Sequence, residues 1–298
     1  MPELLHTVEE DALGLNLRLD RYVSENLRLL SRSQIKARGL SAKINGKPVK
    51  LSRVVKRGDI IEMRWDEEAP VYLVPEDIPL DIVYEDERCV VINKAQGMVV
   101  HPGAGNRQGT LANALYFRRL KKNYSPPEGF RTGIVHRLDK DTSGLIIAAY
   151  DDEAHAFLAR QFKDRKAIKK YAAIIHGTPK EAQGRIETFI ARDPGNRKRF
   201  TVSNAGRTAV TFYKVIKTLQ NYSLVMLRPK TGRTHQLRVH LKHIGHPILG
   251  DPVYGYPDKN HPDLTLMLHS KTLAIVLPGE TERRVFTTVL PERFFIRM

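Results

Sequence analysis

The 298-residue chain contains one cysteine, Cys89, and one tryptophan. A single cysteine excludes an intramolecular disulfide and any thiolate zinc cluster. No apolar run reaches the roughly 18–20 residues that cross a bilayer, and the longest, such as residues 145–150, are strand-length. The opening MPELLHTVEE is acidic and lacks a basic segment followed by an apolar one, so no secretory leader is expected. These absences lead to the expectation of a cytoplasmic protein without a membrane span.

Acid is also scarce. Forty-nine Lys and Arg face 33 Asp and Glu, a formal charge of +16 with histidines neutral. A surplus of that size favours a polyanionic partner, because basic side chains displace condensed counterions from a phosphate backbone. Between Arg28 and Arg57 there are ten basic residues and no acid. The same stretch carries the signals of a compact module. Residues 20–30 and 31–38 read as two short helices, with Ser31 or Ser33 as N-cap of the second and Gly39 as its stop. Residues 43–47 read as a strand entering an Asn45-Gly46 hairpin turn, and residues 60–63 as another strand. A charge run is most often a solvated face, but ten basic residues without an acid favour nucleic-acid contact, with Arg32, Lys36, Arg38, Lys43 and Lys47 as candidates.

Composition then turns acidic and proline-rich: Asp66-Glu67-Glu68-Ala69-Pro70, Pro75 and Pro79. We expect an N-terminal module over residues 1–65, a linker over 66–78 and a larger domain over 79–298. In the larger domain residues 89–93, 144–150, 171–175, 209–216 and 223–228 read as strands. Residues 152–163 and 233–244 read as helices, the second with a Leu237, Leu241, Ile244 stripe stopped by Gly245 and Pro247. Strands outnumber helices without βαβ alternation, which predicts an α+β fold with a mixed, mostly antiparallel sheet.

The densest polar segment is Gly133-Ile134-Val135-His136-Arg137-Leu138-Asp139-Lys140-Asp141-Thr142-Ser143-Gly144, held between apolar stretches. A loop pinned at both ends can present a carboxylate at a fixed place. By spacing alone a tight surface turn is an equally good reading, since Asp, Thr, Ser and Gly are common turn residues.

His136-Arg137-Leu138-Asp139 followed by Thr142-Ser143-Gly144 resembles the signature of RluA-type pseudouridine synthases. Further blocks follow in the same order: Val99-Val100-His101-Pro102-Gly103-Ala104-Gly105-Asn106, then Gly232-Arg233-Thr234-His235-Gln236-Leu237-Arg238-Val239-His240, then Gly250-Asp251-Pro252-Val253-Tyr254-Gly255. Residues 17–65 resemble an S4-type RNA-binding domain, so the resemblance spans nearly the whole chain. It implies a pseudouridine synthase fold and isomerisation of uridine in RNA, with large-subunit ribosomal RNA as the expected substrate. Asp139 is then implied as the catalytic carboxylate, Tyr171 as an aromatic that stacks on or deprotonates the target nucleotide, and Arg238 as the arginine paired with Asp139. Arg137 is implied to enter the RNA where the target base leaves; its alternative is a phosphate or structural arginine. His136, Leu138, Thr142, Arg233 and Leu237 complete the expected substrate contacts. Leu237 stands where the family more often has isoleucine.

The chemistry is compatible with these roles. Breaking N1–C1′, turning the uracil and joining C5 to C1′ transfers no electrons, so neither a redox cofactor nor a metal is expected. A bidentate Arg238 would aim the Asp139 carboxylate. Reaching C1′ requires taking the nucleotide out of its stack.

Two further basic stretches, residues 160–170 and the Pro-Gly loop at 192–199, are candidates for phosphate contact or for solvated faces. His235, His240, His243 and His246 are not read as a metal site, because no carboxylate lies among them and the spacing is not His-Glu-x-x-His. Gly103, Gly105 and Gly109 lack the Gly-Lys-Ser/Thr of a phosphate-cradling loop. Two alternatives stay beside the enzyme reading: an RNA-binding assembly factor, and the same chemistry on transfer RNA. No heptad pattern demands a partner subunit, so a monomer is expected.

Overall fold

The computed structural model describes residues 2–9, 17–66, 73–103, 105–124, 132–196, 199–259 and 261–295. Residues 67–72 of the expected linker, Ala104, and Arg197 and Lys198 of the Pro-Gly loop lie outside the described residues. The chain divides into two compact units, residues 1–72 and 73–298.

In the first unit, strand β1 (Glu3–Thr7) precedes one helical turn, α1 (Leu19–Arg21), which continues as a π-helical turn (Tyr22–Asn26). Helix α2 (Arg32–Ala37) and strands β2 (Ser41–Ile44), β3 (Lys47–Val49) and β4 (Ile60–Arg64) follow. The antiparallel sheet runs β1-β4-β2-β3. Ser31 caps α2: its hydroxyl accepts the Gln34 N–H at 3.3 Å while the Gln34 side chain accepts the Ser31 N–H at 2.9 Å. Each partner thereby satisfies a donor the helix start leaves open. Asn45 and Gly46 take φ of 51° and 74°, as a two-residue hairpin between twisted strands requires. Leu19, Tyr22, Val23 and Ile35 of the helical turns share one core with Ile44, Ile61 and Met63 of the sheet. The fold tempers the basic run of the sequence by bringing acids to it from outside: Asp20 lies 3.6 Å from Arg32 and Glu62 lies 3.7 Å from Lys43. In both pairs the base is exposed and the acid partly buried, and at this long separation each is worth about 0–1 kcal/mol. Lys36 and Lys47 are exposed and Arg38 is partly buried.

The second unit contains β5 (Ile82–Glu85), β6 (Cys89–Lys94), α3 (Leu111–Lys121), β7 (Ser143–Ala149), α4 (Asp152–Lys163), β8 (Ile168–His176), β9 (Gln183–Arg192), β10 (Phe200–Ser203), β11 (Arg207–Leu219), β12 (Tyr222–Pro229), α5 (Gln236–His243), β13 (Leu268–Val276) and β14 (Arg283–Thr287). Its ten-stranded sheet runs β10-β9-β11-β12-β8-β13-β7-β6-β5, with β14 beside the second half of β13. The β7–β13 pairing is parallel and the others are antiparallel, an α+β architecture with a mixed, mostly antiparallel sheet. Residues of the expected linker belong to this unit: Asn113 Nδ2 donates to Val74 O at 2.8 Å, and Glu76 N–H donates to Asn113 O at 3.2 Å.

Strands β6 and β7 are apolar without alternation because both faces are covered. Val90, Ile92, Ile146 and Ala148 enter the main core. Val91, Leu145, Ile147 and Ala149 enter a second core closed by Ala154 and Leu158 of α4. Each buried Leu or Ile contributes about 1.5–3 kcal/mol of transfer free energy. Helix α5 buries Leu237 and Leu241 in the main core and Val239 against Ile190, Ala209 and Tyr254. It begins at Gln236, three residues later than its apolar stripe predicts, because His235 adopts a left-handed conformation with φ of 55°. The Gln236 side chain fixes that irregular entry: its oxygen accepts the Arg233 N–H at 3.0 Å and the Thr231 hydroxyl at 2.7 Å.

Candidate active site

The Asp139 loop runs from Gly133 to Gly144, and both ends are fixed by close backbone approach. At Gly144 (φ 107°) a Cβ would lie 2.3 Å from the Ser270 carbonyl oxygen, and at Gly133 (φ 77°) it would overlap the Ala149 carbonyl. Only glycine reaches these positive-φ conformations at such contact distances. Between the ends the loop lies along β7. The Ala149 N–H donates to Gly133 O at 2.8 Å, and the Ile147 N–H donates to His136 Nε2 at 3.1 Å. His136 therefore takes the place of a strand neighbour for β7, with its ring stacked on Phe162 at 4.3 Å. Burial pushes its pKa down to about 3, in keeping with a ring nitrogen that accepts. The expectation of His136 as a substrate contact thus gains a structural role.

Beneath the loop, Lys94 is 1% exposed. Its ammonium donates to the carbonyls of Ala95 and Met98, both at 2.8 Å, and of Lys140 at 3.1 Å. Burial lowers its pKa to about 8 despite the charges of Asp141 and Asp139. Sequence reasoning missed this lysine, since an isolated Lys at a strand end reads as a surface residue. Thr142 closes the turn by donating its N–H to Asp139 O at 3.1 Å.

A cavity of about 120 Å³ is lined by Arg137, Leu138, Asp139, Thr142, Tyr171, Arg233, Leu237 and Arg238. The structure thus gathers all the sequence-predicted residues of the larger domain there except His136, which lines the neighbouring cleft. Tyr171 is buried on β8, and burial pushes its phenol up to about 12. At neutral pH it is therefore a neutral aromatic surface with a hydroxyl that can donate a hydrogen bond, not the phenolate that deprotonating the nucleotide would need.

Arg238 departs from expectation. Its bidentate partner is Asp251, with Nε to Oδ2 and Nη2 to Oδ1 both at 2.7 Å. The remaining nitrogen, Nη1, lies 3.5 Å from Asp139 Oδ2. Burial alone would lower the pKa of Arg238, but the bonds to Asp251 outweigh it and raise it. Burial likewise disfavours the Asp251 carboxylate, yet Arg238 and the N–H groups of Val253 and Tyr254 hold its pKa below the ordinary value. Asp251 lies in the Gly250–Gly255 block, but the sequence offered no sign of which arginine it meets. His235 completes the wall: Nε2 is 3.9 Å from Asp139 Oδ2 and Nδ1 is 2.9 Å from the Tyr254 hydroxyl, which accepts the Phe200 N–H at 2.8 Å. The other helix-face histidines diverge. His240 sits between the Thr211 and Thr188 hydroxyls, and His246 Nδ1 meets the His176 carbonyl.

Over residues 88–243 the chain matches the family described as RNA pseudouridylate synthase. This chain belongs to the pseudouridine synthase family. The synthase is similar to the ribosomal large subunit pseudouridine synthase D of Borreliella burgdorferi, at 46% identity over 97% of this chain and 90% of that protein. It is also similar to the enzyme of the same name from Zymomonas mobilis, at 42% identity over 84% and 80% of the two chains. Among solved structures, human RNA pseudouridylate synthase domain containing 1 superposes with a TM-score of 0.59 at 28% identity, covering 72% of the synthase and 84% of that chain. These relatives support an RNA uridine isomerase of the RluA type, in agreement with the motif order.

Proposed function

We propose that the synthase isomerises uridine in large-subunit ribosomal RNA with Asp139 as its catalytic carboxylate. The observation that carries this reading is the 3.5 Å approach of Arg238 Nη1 to Asp139, from a guanidinium whose other edge is locked on Asp251. A carboxylate so aimed, on a loop fixed at both ends, is preorganised for attack on the nucleotide or for taking up a proton. In the reaction the N1–C1′ bond breaks, C5 joins C1′, the C5 proton leaves and N1 gains a proton, so atoms and electrons balance within the base.

Tyr171 supplies an aromatic face for the uracil, and its phenol, kept protonated by burial, suits hydrogen-bond donation to the base. Leu138, Leu237 and Thr142 close the cavity around the base. Arg137, exposed at the rim, is suited to fill the place the nucleotide vacates and to offset unstacking, which costs a few kcal/mol. We assign residues 1–65 to S4-type RNA binding through Arg32, Lys36, Arg38, Lys43 and Lys47, and read the chain as a cytoplasmic monomer.

The test is Asp139→Asn. Purified variant and wild type are incubated with ribosomal RNA, and pseudouridine is quantified by nucleoside chromatography. The expected result is loss of product with retained RNA binding; product formation at the wild-type rate would overturn the assignment. Mapping pseudouridine in total RNA with and without the gene tests the substrate: a missing site in transfer RNA alone would move it there.

A further inference from the structure

The histidines on and around α5 differ in what their ring nitrogens meet. His240 has both on threonine hydroxyls, Nδ1 at 2.9 Å from Thr211 and Nε2 at 3.1 Å from Thr188. His246 has Nδ1 on the His176 carbonyl at 2.9 Å. His235 lines the Asp139 cavity. Its Nδ1 meets the Tyr254 hydroxyl, while Nε2 has no hydrogen-bond partner among the described residues and lies 3.9 Å from Asp139 Oδ2. The ring is presented there from a left-handed backbone, with φ of 55°. Such a conformation in a residue with a Cβ persists where the surroundings enforce it, and it gathers at functional sites.

The neighbours of His235 decide which nitrogen carries its proton. Burial, with Arg238 and Arg137 nearby, holds its pKa below the ordinary value against the pull of Asp139 and Asp251, so at pH 7 the ring is neutral and has one N–H. The Tyr254 side chain is buried and its hydroxyl accepts the Phe200 N–H at 2.8 Å. A buried hydroxyl proton needs an acceptor of its own. Among the described residues that acceptor is His235 Nδ1, at 2.9 Å. Tyr254 therefore donates to Nδ1, and the ring proton sits on Nε2, the nitrogen that faces Asp139.

We infer that His235 is a second positioning residue for the catalytic carboxylate, donating its Nε2–H to Asp139 Oδ2 and leaving Oδ1 to meet the nucleotide. Arg238 Nη1 approaches the same oxygen at 3.5 Å. A carboxylate held by one donor can swing about that contact, whereas donors from two side chains on one oxygen fix its plane. Contacts of this kind are often long before substrate binds and tighten in the reactive complex. The ring gives up no proton in this role. Tyr254 supports it twice over, since its backbone N–H also donates to Asp251 Oδ1 at 3.0 Å, so one residue orients His235 and steadies the anchor of Arg238. The inference rests on Asp139 as the catalytic carboxylate.

The experiment compares His235→Leu, which keeps bulk and removes the donor, with His235→Gln, whose amide nitrogen can take the place of Nε2. Both side chains are unbranched at Cβ, so the left-handed backbone burdens them alike and their difference reads the donor. With full-length protein and ribosomal RNA, His235→Leu should lower kcat about 10–100-fold with KM little changed, the cost of a lost hydrogen bond to a charged group. His235→Gln should regain most of that loss. Wild-type kcat in His235→Leu overturns the proposal. So does a His235→Gln protein as slow as His235→Leu, which would make the ring a structural prop. Nitrogen-15 NMR of histidine-labelled wild type without RNA reads the tautomer and decides the matter even where a variant fails to fold: Nε2 should be protonated and Nδ1 bare, and a proton on Nδ1 overturns the proposal. The catalytic reading fails separately, by product formed in Asp139→Asn, whereas the tautomer is read with no turnover.

Discussion

Arg238 and Asp251 are joined by two hydrogen bonds of 2.7 Å, both side chains almost wholly buried, while the free nitrogen of Arg238 faces Asp139 at 3.5 Å. One guanidinium thus spans two carboxylates, of which the deeper is an anchor and the shallower faces the cavity. Asp251→Asn removes the anchoring charge and leaves Arg238 free to turn toward Asp139. Removing one electrostatic group from a preorganised site costs about 10²–10³ in kcat, and that is the loss expected here. The variant should also lose about 3–5 kcal/mol of stability, as when one partner of a buried ion pair is removed. Steady-state kinetics with urea denaturation checks both; wild-type kcat in a folded Asp251→Asn protein would show that Arg238 needs no anchor.

Lys94→Met keeps most of the side-chain volume and deletes the ammonium that serves three carbonyls. Each stranded carbonyl brings a desolvation penalty of about 1–3 kcal/mol, partly relieved by entering water. We expect destabilisation of a few kcal/mol and loosened protection of the residue 139–142 amides. Hydrogen exchange read by mass spectrometry measures the second effect, and unaltered exchange there would refute the clamp.

Gly144→Ala puts a methyl 2.3 Å from the Ser270 carbonyl at a φ of 107°. Strained backbone of this kind costs about 1–3 kcal/mol before the clash is counted. The expected outcome is a lowered thermal midpoint and reduced activity together, because the β7–β13 crossing and the end of the Asp139 loop are the same residue. A midpoint equal to wild type would contradict the close packing.

Acid stability follows from buried neutral histidines. His240 and His269 are both 0% exposed, and burial lowers each pKa to about 4 from 6.5. Between pH 6.5 and about 4 the unfolded chain binds protons on these rings that the folded chain does not. Stability is therefore full above pH 6.5 and falls as pH drops through that window, by up to about 1.4 kcal/mol per pH unit for each ring. Denaturant midpoints measured from pH 7 to pH 4 check the sign; a constant midpoint would be inconsistent with neutral buried rings.

What the sequence made legible followed from local chemistry. Residues 152–163 read as a helix and α4 occupies that span, its start capped by Asp151, which accepts the Ala154 N–H. Asn45-Gly46 announced its turn. Strands β9 and β13 escaped notice because their burial depends on partners far along the chain: β9 buries only Ile186 and Ile190 among exposed and half-buried residues, and β13 buries His269 and Ser270 among its apolar positions. In the site, motif order pointed to Asp139, Tyr171 and Arg238, and the three line one cavity. The partner of Arg238 was not legible, since a bidentate pair between residues 13 apart is created by the left-handed His235 that starts α5 and the turn that returns Asp251 beside it.

The anchoring of the Asp139 loop bears on how binding free energy is divided. A loop that had to order itself around RNA would draw on the affinity of the complex, at about 1–2 kcal/mol for each residue fixed. Here Gly133, His136, Lys94 and Gly144 hold the segment before any nucleotide arrives. Affinity gathered along the strand is then not drawn on to order this loop and is available for distorting the RNA itself.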